Sequence, residues 1–252
     1  MALPEPRLRD EQSGEEDSLN LISDLIDSYS SKGFGDPNAA TELLWSLQKD
    51  AMEIDRASRQ IDRLRDEIWE PFKRCAHVLH HFGYLDLAAQ RVTERGQWLA
   101  DLRVDRPLLI GEALQRNLFS SLTEIQTAAL VAALAADEDR DYGELELDDA
   151  IVTLLVKFEE VSFDVANEEW NQGIEAVEEI NFSAAAAAAL WASGVAWPKL
   201  VHETRAEEGD LVRLLARTGE ALLQIAGLRG THGAAAGLAA RTAEIMLREP
   251  VR

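Results

Sequence analysis

From about Ala39 almost to the C-terminus, apolar residues recur at three- and four-residue steps, with no succession of strands among them. Such a chain has to bury its apolar stripes helix against helix. It is therefore expected to be all-α, with no parallel sheet to build a nucleotide-binding α/β domain. At 252 residues, 46% of them hydrophobic, it can enclose a sizeable core. The helical candidates are 106–118, 123–136, 147–170, 182–193, 195–203, 208–228 and 234–248, with GLRGTHG as the last clear break, and together they predict a bundle.

The chain ahead of the bundle is patterned differently. In SLNLISDLIDSYS, Leu19, Ile22, Leu25 and Ile26 lie at helical spacing behind Ser18, a suitable cap, and SSKGFGDPN then breaks the helix. Next, Leu47, Ile54, Ala57, Ile61, Leu64, Ile68, Cys75 and Val78 follow the alternating four-and-three spacing of a heptad seam. A stripe this narrow asks for one partner helix. The short helix before it can fold back to supply that partner, giving a helical hairpin or stalk over 18–82. Pro71 removes one backbone hydrogen bond, so a kink or restart is expected near Trp69. The helix should end at Gly83. Two β-prone pieces, Arg91-Val92-Thr93 and Gln97-Trp98-Leu99, flank Gly96 and suggest a small winged-helix-like β-ribbon at the start of the bundle region, 83–252.

Charge narrows the classes of partner. With 25 Lys and Arg against 46 Asp and Glu, the chain carries a net charge of −21. A molecule of that sign repels nucleic acid and anionic membrane at long range, so either partner needs a local basic feature. This argues against a free-standing nucleic-acid binder. Residues 1–17 read as an acidic disordered tail. Cys75 is the single cysteine, which leaves no disulfide within the chain and suits a reducing cytoplasm. Its place on the seam marks it as a buried thiol. No signal-peptide pattern opens the sequence, and the longest apolar runs, such as SAAAAAALWASGVAW, are too short and too alanine-rich to span a bilayer.

Several chemistries find no support. There is no Gly-x-x-x-x-Gly-Lys-Ser/Thr loop, and no glycine is followed by lysine. LVAALAADED superficially resembles the apolar strand and acidic pair that hold magnesium in P-loop ATPases, but without the loop it reads as an alanine-rich helix ending in acids. His77 and His81 lie four apart beside Cys75, yet no further ligands cluster with them, and a surface or core-edge histidine pair is favoured over a metal site. His202-Glu203 lacks the second histidine of a zinc-protease helix. No serine or cysteine has the setting of a nucleophile, and carboxylates are too abundant for any pair to stand out. No catalytic residue is assigned.

The segment EEGDLVRLLAR opens the most informative helix. Leu211, Leu214, Leu215, Leu222 and Ile225 form one apolar face, while Arg213, Arg217, Glu220 and Gln224 form a polar row. The plain reading is a solvated face, with Arg217 paired to Glu220 and Arg213 to Glu208 or Asp210. The functional reading is a ladder of planar side chains along which the bases or phosphates of a single strand could lie.

Those residues also carry a resemblance. CAHVLHHFGYLD, VTERGQWLADL, LLIGEAL, LTEIQTAAL, ALWASGVAWPKLV, EEGDLVRLLARTGEALLQIA and AEIMLREPV, in that order, resemble the DSHCT domain. This is the C-terminal helical region of superkiller-type superfamily 2 RNA helicases, including HelY-like bacterial members. The likeness spans roughly 70–252 and is strongest at Trp191-x-x-Gly194 and at Glu208-Gly209-Asp210-Leu211-Val212-Arg213. It implies a bundle beside two RecA-like motor domains, with the helix at 208–228 acting as a ratchet on threaded RNA. By this resemblance Arg217 is the first candidate for contacting RNA. Arg213 is the second, or a structural ion-pair member, and Glu138 or Asp137 is the acidic counterpart across the channel. Glu208 and Gly209 form the helix start, where a position without a side chain lets another backbone come close. Trp191 and Trp197 are expected to anchor the bundle.

The family's usual Lys-Gly-Arg segment is here Arg95-Gly96-Gln97, one cation poorer. Motor domains are lacking, so the resemblance implies no cofactor in this chain, with ATP and magnesium held only by motors outside it. The implied function is that of a non-catalytic accessory domain in the cytoplasm, guiding single-stranded RNA and steadying the motor. Its implied partners are single-stranded RNA, at low affinity, and the motor domains or other proteins, with no membrane. The alternative is an acidic protein-interaction module without RNA binding. An enzyme built on an acidic cluster would need a pocket with perturbed carboxylates. Fragment of a longer helicase and stand-alone relative both remain open.

Overall fold

The structure, a computed structural model, describes residues 37–137, 140–176 and 179–252, with side chains at 37–41 and 44 left aside. The expected tail over 1–17 and the short helix after Ser18 lie outside the described residues. The chain divides into two compact units, Met1–Lys73 and Arg74–Arg252.

In the first unit, α1 runs over Pro37–Leu64 and passes into a π-helical turn at Arg65–Trp69, after which α2 (Glu70–His81) begins as an α-helix that ends in the second unit. The interruption expected from Pro71 takes this form. The Glu70 N–H reaches back to the Arg65 carbonyl, a step one residue wider than in an α-helix. Leu47, Ile54, Ile61, Leu64 and Ile68 of the heptad seam are between 38% and 68% exposed. Ion pairs between Arg59 and Asp55 and between Arg63 and Glu67 decorate the same helix. The seam positions through Ile68 thus face solvent, and Cys75 continues that exposed stripe. Cys75 is accordingly exposed, contrary to expectation, and the inward positions are Ala76 and Val78.

Among its described residues the second unit is all-α apart from a two-stranded ribbon. Gly83, at φ +78°, turns the chain out of α2. Strand β1 (Leu85–Asp86) then pairs antiparallel with β2 (Arg91–Val92), Leu85 opposite Val92. The ribbon therefore exists, but Gln97-Trp98-Leu99 is not its second strand. Those residues belong to α3 (Glu94–Leu99), which Thr93 caps by accepting the Gly96 N–H at 3.1 Å. The cap and the burial of Trp98 and Leu99 outweigh the β-propensity of so short a run. Gly96 is needed for close approach, since a Cβ there would lie 2.2 Å from the Tyr84 carbonyl oxygen.

The bundle follows the predicted order closely, as α4 (Pro107–Gln115), α5 (Glu124–Ala135), α6 (Asp149–Asn171), α7 (Phe182–Ala192), α8 (Trp197–Thr204), α9 (Glu208–Ala226) and α10 (Gly233–Met246). Local chemistry starts most of them. Pro107 opens α4, Thr123 and Gln126 close a capping box on α5, and Asp148 and Asn181 cap α6 and α7. Helix α5 packs against α6, α7, α9 and α10, and Ala128 through Ala132 are fully buried. A helix apolar on every side belongs at a bundle centre. Trp191 is the anchor expected of it: its indole N–H donates to the Met246 carbonyl at 3.0 Å, and Trp197 meets it edge to face. The Arg248 guanidinium lies 3.4 Å above its ring.

Candidate nucleic-acid interface

Helix α9 carries the predicted pattern into space. Leu211, Leu214, Leu215, Leu222 and Ile225 are all buried against the bundle, which turns Arg213 and Arg217 outward one turn apart. Neither arginine uses the intrahelical partners expected for it. Arg217 Nη1 donates to Asp137, and Nη2 donates to Asp105 at 2.6 Å. Arg213 Nε lies 3.9 Å from the other oxygen of Asp137. Asp210 is taken by Arg140 at 2.9 Å, which removes the nearest partner that Arg213 had in sequence.

Asp137 is placed by the loop after α5. The Asn181 side-chain amide donates to the carbonyls of Asp137, at 3.3 Å, and Arg140, at 2.7 Å, and this binds the start of that loop to α7. The hydrogen bond from Arg217 holds the Asp137 carboxyl below its ordinary range, with Arg213 and Arg140 adding to the effect. Asp137 is thus the carboxylate that faces Arg217 from the loop after α5. Glu138 lies outside the described residues.

Two adjoining clefts meet at Arg217. The first, of about 300 Å³, lies between the α3–α4 loop, with Arg103, Asp105 and Arg106, and the α9 row of Arg217, Glu220 and Gln224. Val131 and Leu134 of α5 contribute to its floor. The second, of about 480 Å³, continues past Asp137 to Glu179 and Asn181 and shares Asp105, Arg106, Leu134 and Arg217 with the first. Arg106 is steadied by donating to Ser162 at 3.2 Å. Sequence reading missed Arg103, Asp105 and Arg106. Their only signal was a charged run, Arg-x-Asp-Arg, ahead of the proline that opens α4.

At the start of α9 the structure departs from expectation. Glu208 and Gly209 are exposed, and a Cβ on Gly209 would meet nothing within 4 Å. These two positions face solvent, so the glycine makes no close approach among the described residues. Among the described residues no group of three or more His, Cys, Asp or Glu side chains could hold a metal ion. His81 is directed at Glu168, at 3.4 Å. No helix among the described residues is long and apolar enough to cross a membrane.

A family model for the DSHCT (NUC185) domain matches residues 89–252, a span that includes α9, both clefts and all the side chains around Arg217. The chain belongs to the DSHCT domain family. This DSHCT domain is similar to "DExH-box ATP-dependent RNA helicase DExH15 chloroplastic" of Arabidopsis thaliana, with 27% identity over 205 residues. The aligned part covers 78% of this chain and 17% of the helicase, so the chain spans only a small fraction of that relative.

Proposed function

We propose that this chain is a non-catalytic accessory domain of an ATP-dependent RNA helicase of the superkiller type, in which α9 lines the path of single-stranded RNA. The observation that carries this reading is the position of Arg217 where two adjoining clefts meet, with Arg213 one turn away on the same helix face. Planar guanidinium groups in a groove suit a strand's phosphates and bases. Of the two, Arg213 is the more accessible, with 63% of its side chain exposed against 30% for Arg217. ATP and magnesium belong, in this proposal, to RecA-like motor domains supplied outside the chain, with the cytoplasm as the compartment.

A second reading has its own support. Arg217 is already paired with two carboxylates, which fits an acidic protein-docking module in which the ion pairs serve only the fold. Fluorescence anisotropy of labelled single-stranded RNA, titrated at low and moderate salt, separates the two. The RNA reading expects salt-sensitive binding weakened by Arg213→Ala and Arg217→Ala. Absence of binding even at low salt selects the docking module.

A further inference from the structure

The two carboxylates on Arg217 are not equivalent. Asp137 is 33% exposed, is shared with Arg213, and follows directly on α5 where Asn181 binds its carbonyl. Asp105 is 73% exposed and sits on the irregular loop between α3 and α4. Each engages a different nitrogen of the same guanidinium, Nη1 for Asp137 and Nη2 for Asp105. Exposed ion pairs contribute little and exchange readily. A phosphodiester and a carboxylate each carry one negative charge, and both accept from a guanidinium fork.

We infer that Asp105 is an internal stand-in for the RNA backbone, occupying on Arg217 the place that a phosphate oxygen takes and yielding it when a strand enters the cleft. This rests on the reading of α9 as an RNA-facing helix. Asp137 is then the positioning residue that keeps the guanidinium aimed while Asp105 departs. The released carboxylate stays beside Arg103 and Arg106, which line the same cleft. Each phosphate contact thereby becomes an exchange of one anion for another. The strand gains little by stopping, which suits a surface that RNA slides over.

The test titrates a labelled oligouridylate at low salt with the parent chain, Asp105→Asn, Arg217→Ala, the double variant, and Glu159→Gln. Glu159 is an exposed acid on α6 and controls for the mere loss of one negative charge. Asp105→Asn is expected to tighten binding about two- to five-fold, the range an exposed ion pair supports. The gain should exceed that of Glu159→Gln and vanish when Arg217 is alanine, and Asp105→Ser should reproduce it. A parent that binds through Arg217 with no gain in either Asp105 variant overturns the inference alone, as does an equal gain without Arg217. Loss of all binding in parent and variants, or indifference to Arg217→Ala, overturns the RNA reading of α9 and this inference with it.

Discussion

Gly96 offers the sharpest test of how the ribbon and α3 fit together. Replacing it with alanine should help an isolated helix by about 1 kcal/mol. In the folded chain the new methyl would lie 2.2 Å from the Tyr84 carbonyl oxygen and 2.6 Å from Val92 Cγ1. That oxygen cannot retreat freely, because it accepts from the Thr93 N–H at 3.1 Å and from the Thr93 hydroxyl at 3.0 Å. Relieving the contact takes a shift of about 1 Å. The shift strains hydrogen bonds worth about 1 kcal/mol each, and overpacking costs a further 1–3 kcal/mol or so. The helix gain offsets only part of this, leaving a net loss of about 2 kcal/mol, or a fall in Tm of roughly 4–8 °C for a domain of this size. Gly209→Ala is the matched control, since its methyl would meet nothing within 4 Å and should leave stability unchanged or slightly raised. Urea unfolding followed by far-UV circular dichroism, at constant m, compares the two variants. The reasoning is refuted if Gly96→Ala is as stable as the parent, or if Gly209→Ala is the more damaging change.

Other expectations follow from the same geometry. Arg248→Ala should cost about 2 kcal/mol, since it removes a cation above the Trp191 ring and donors to the Trp191 and Val195 carbonyls, and Arg248→Lys should not restore it. Thermal melts followed by tryptophan fluorescence measure both variants. Tyr84→Phe deletes the hydroxyl that donates to buried Glu112 at 2.9 Å and should cost about 1–3 kcal/mol in urea unfolding. Asp137 has its carboxyl held below the ordinary value of 3.8 by the hydrogen bond from Arg217. Its stabilisation is complete above the unfolded value and is lost as pH falls through the lower folded one. A Tm series from about pH 5 to pH 2 should therefore fall less steeply for Asp137→Asn than for the parent.

Helix positions in the bundle were legible from apolar periodicity, and the caps found in the structure, Thr123 with Gln126, Asp148 and Asn181, lie at or beside the starts it suggested. The apolar face of α9 was legible for the same reason. The second strand of the ribbon was misread because three β-prone residues weigh less than a threonine cap and a buried tryptophan. Cys75 was misplaced because heptad spacing marks a stripe but not whether that stripe is covered, and the positions from Leu47 to Ile68 on the same seam are exposed too. At the candidate site, residue types and helix face could be read, but ion-pair partners could not. Asp105 stands 112 positions from Arg217, and Asp137 stands 80 positions from it. Only tertiary packing brings them together, and no local rule favours them over Glu220 or Asp210.

The alanines of α5 and α7 have a mechanical consequence. Ala128, Ala129 and Ala132 on one helix and Ala184, Ala185, Ala187 and Ala188 on the other are wholly enclosed, and the two helices pack against each other. Larger side chains can take up a small displacement by changing rotamer, but alanine has no such freedom to lose or to use. A seam built from it behaves like a joint without play, its spacing dictated by the two backbones. Leu134, which lies beneath both clefts, belongs to one of those helices. The floor that Leu134 gives both clefts is therefore held on a seam whose spacing the two backbones set.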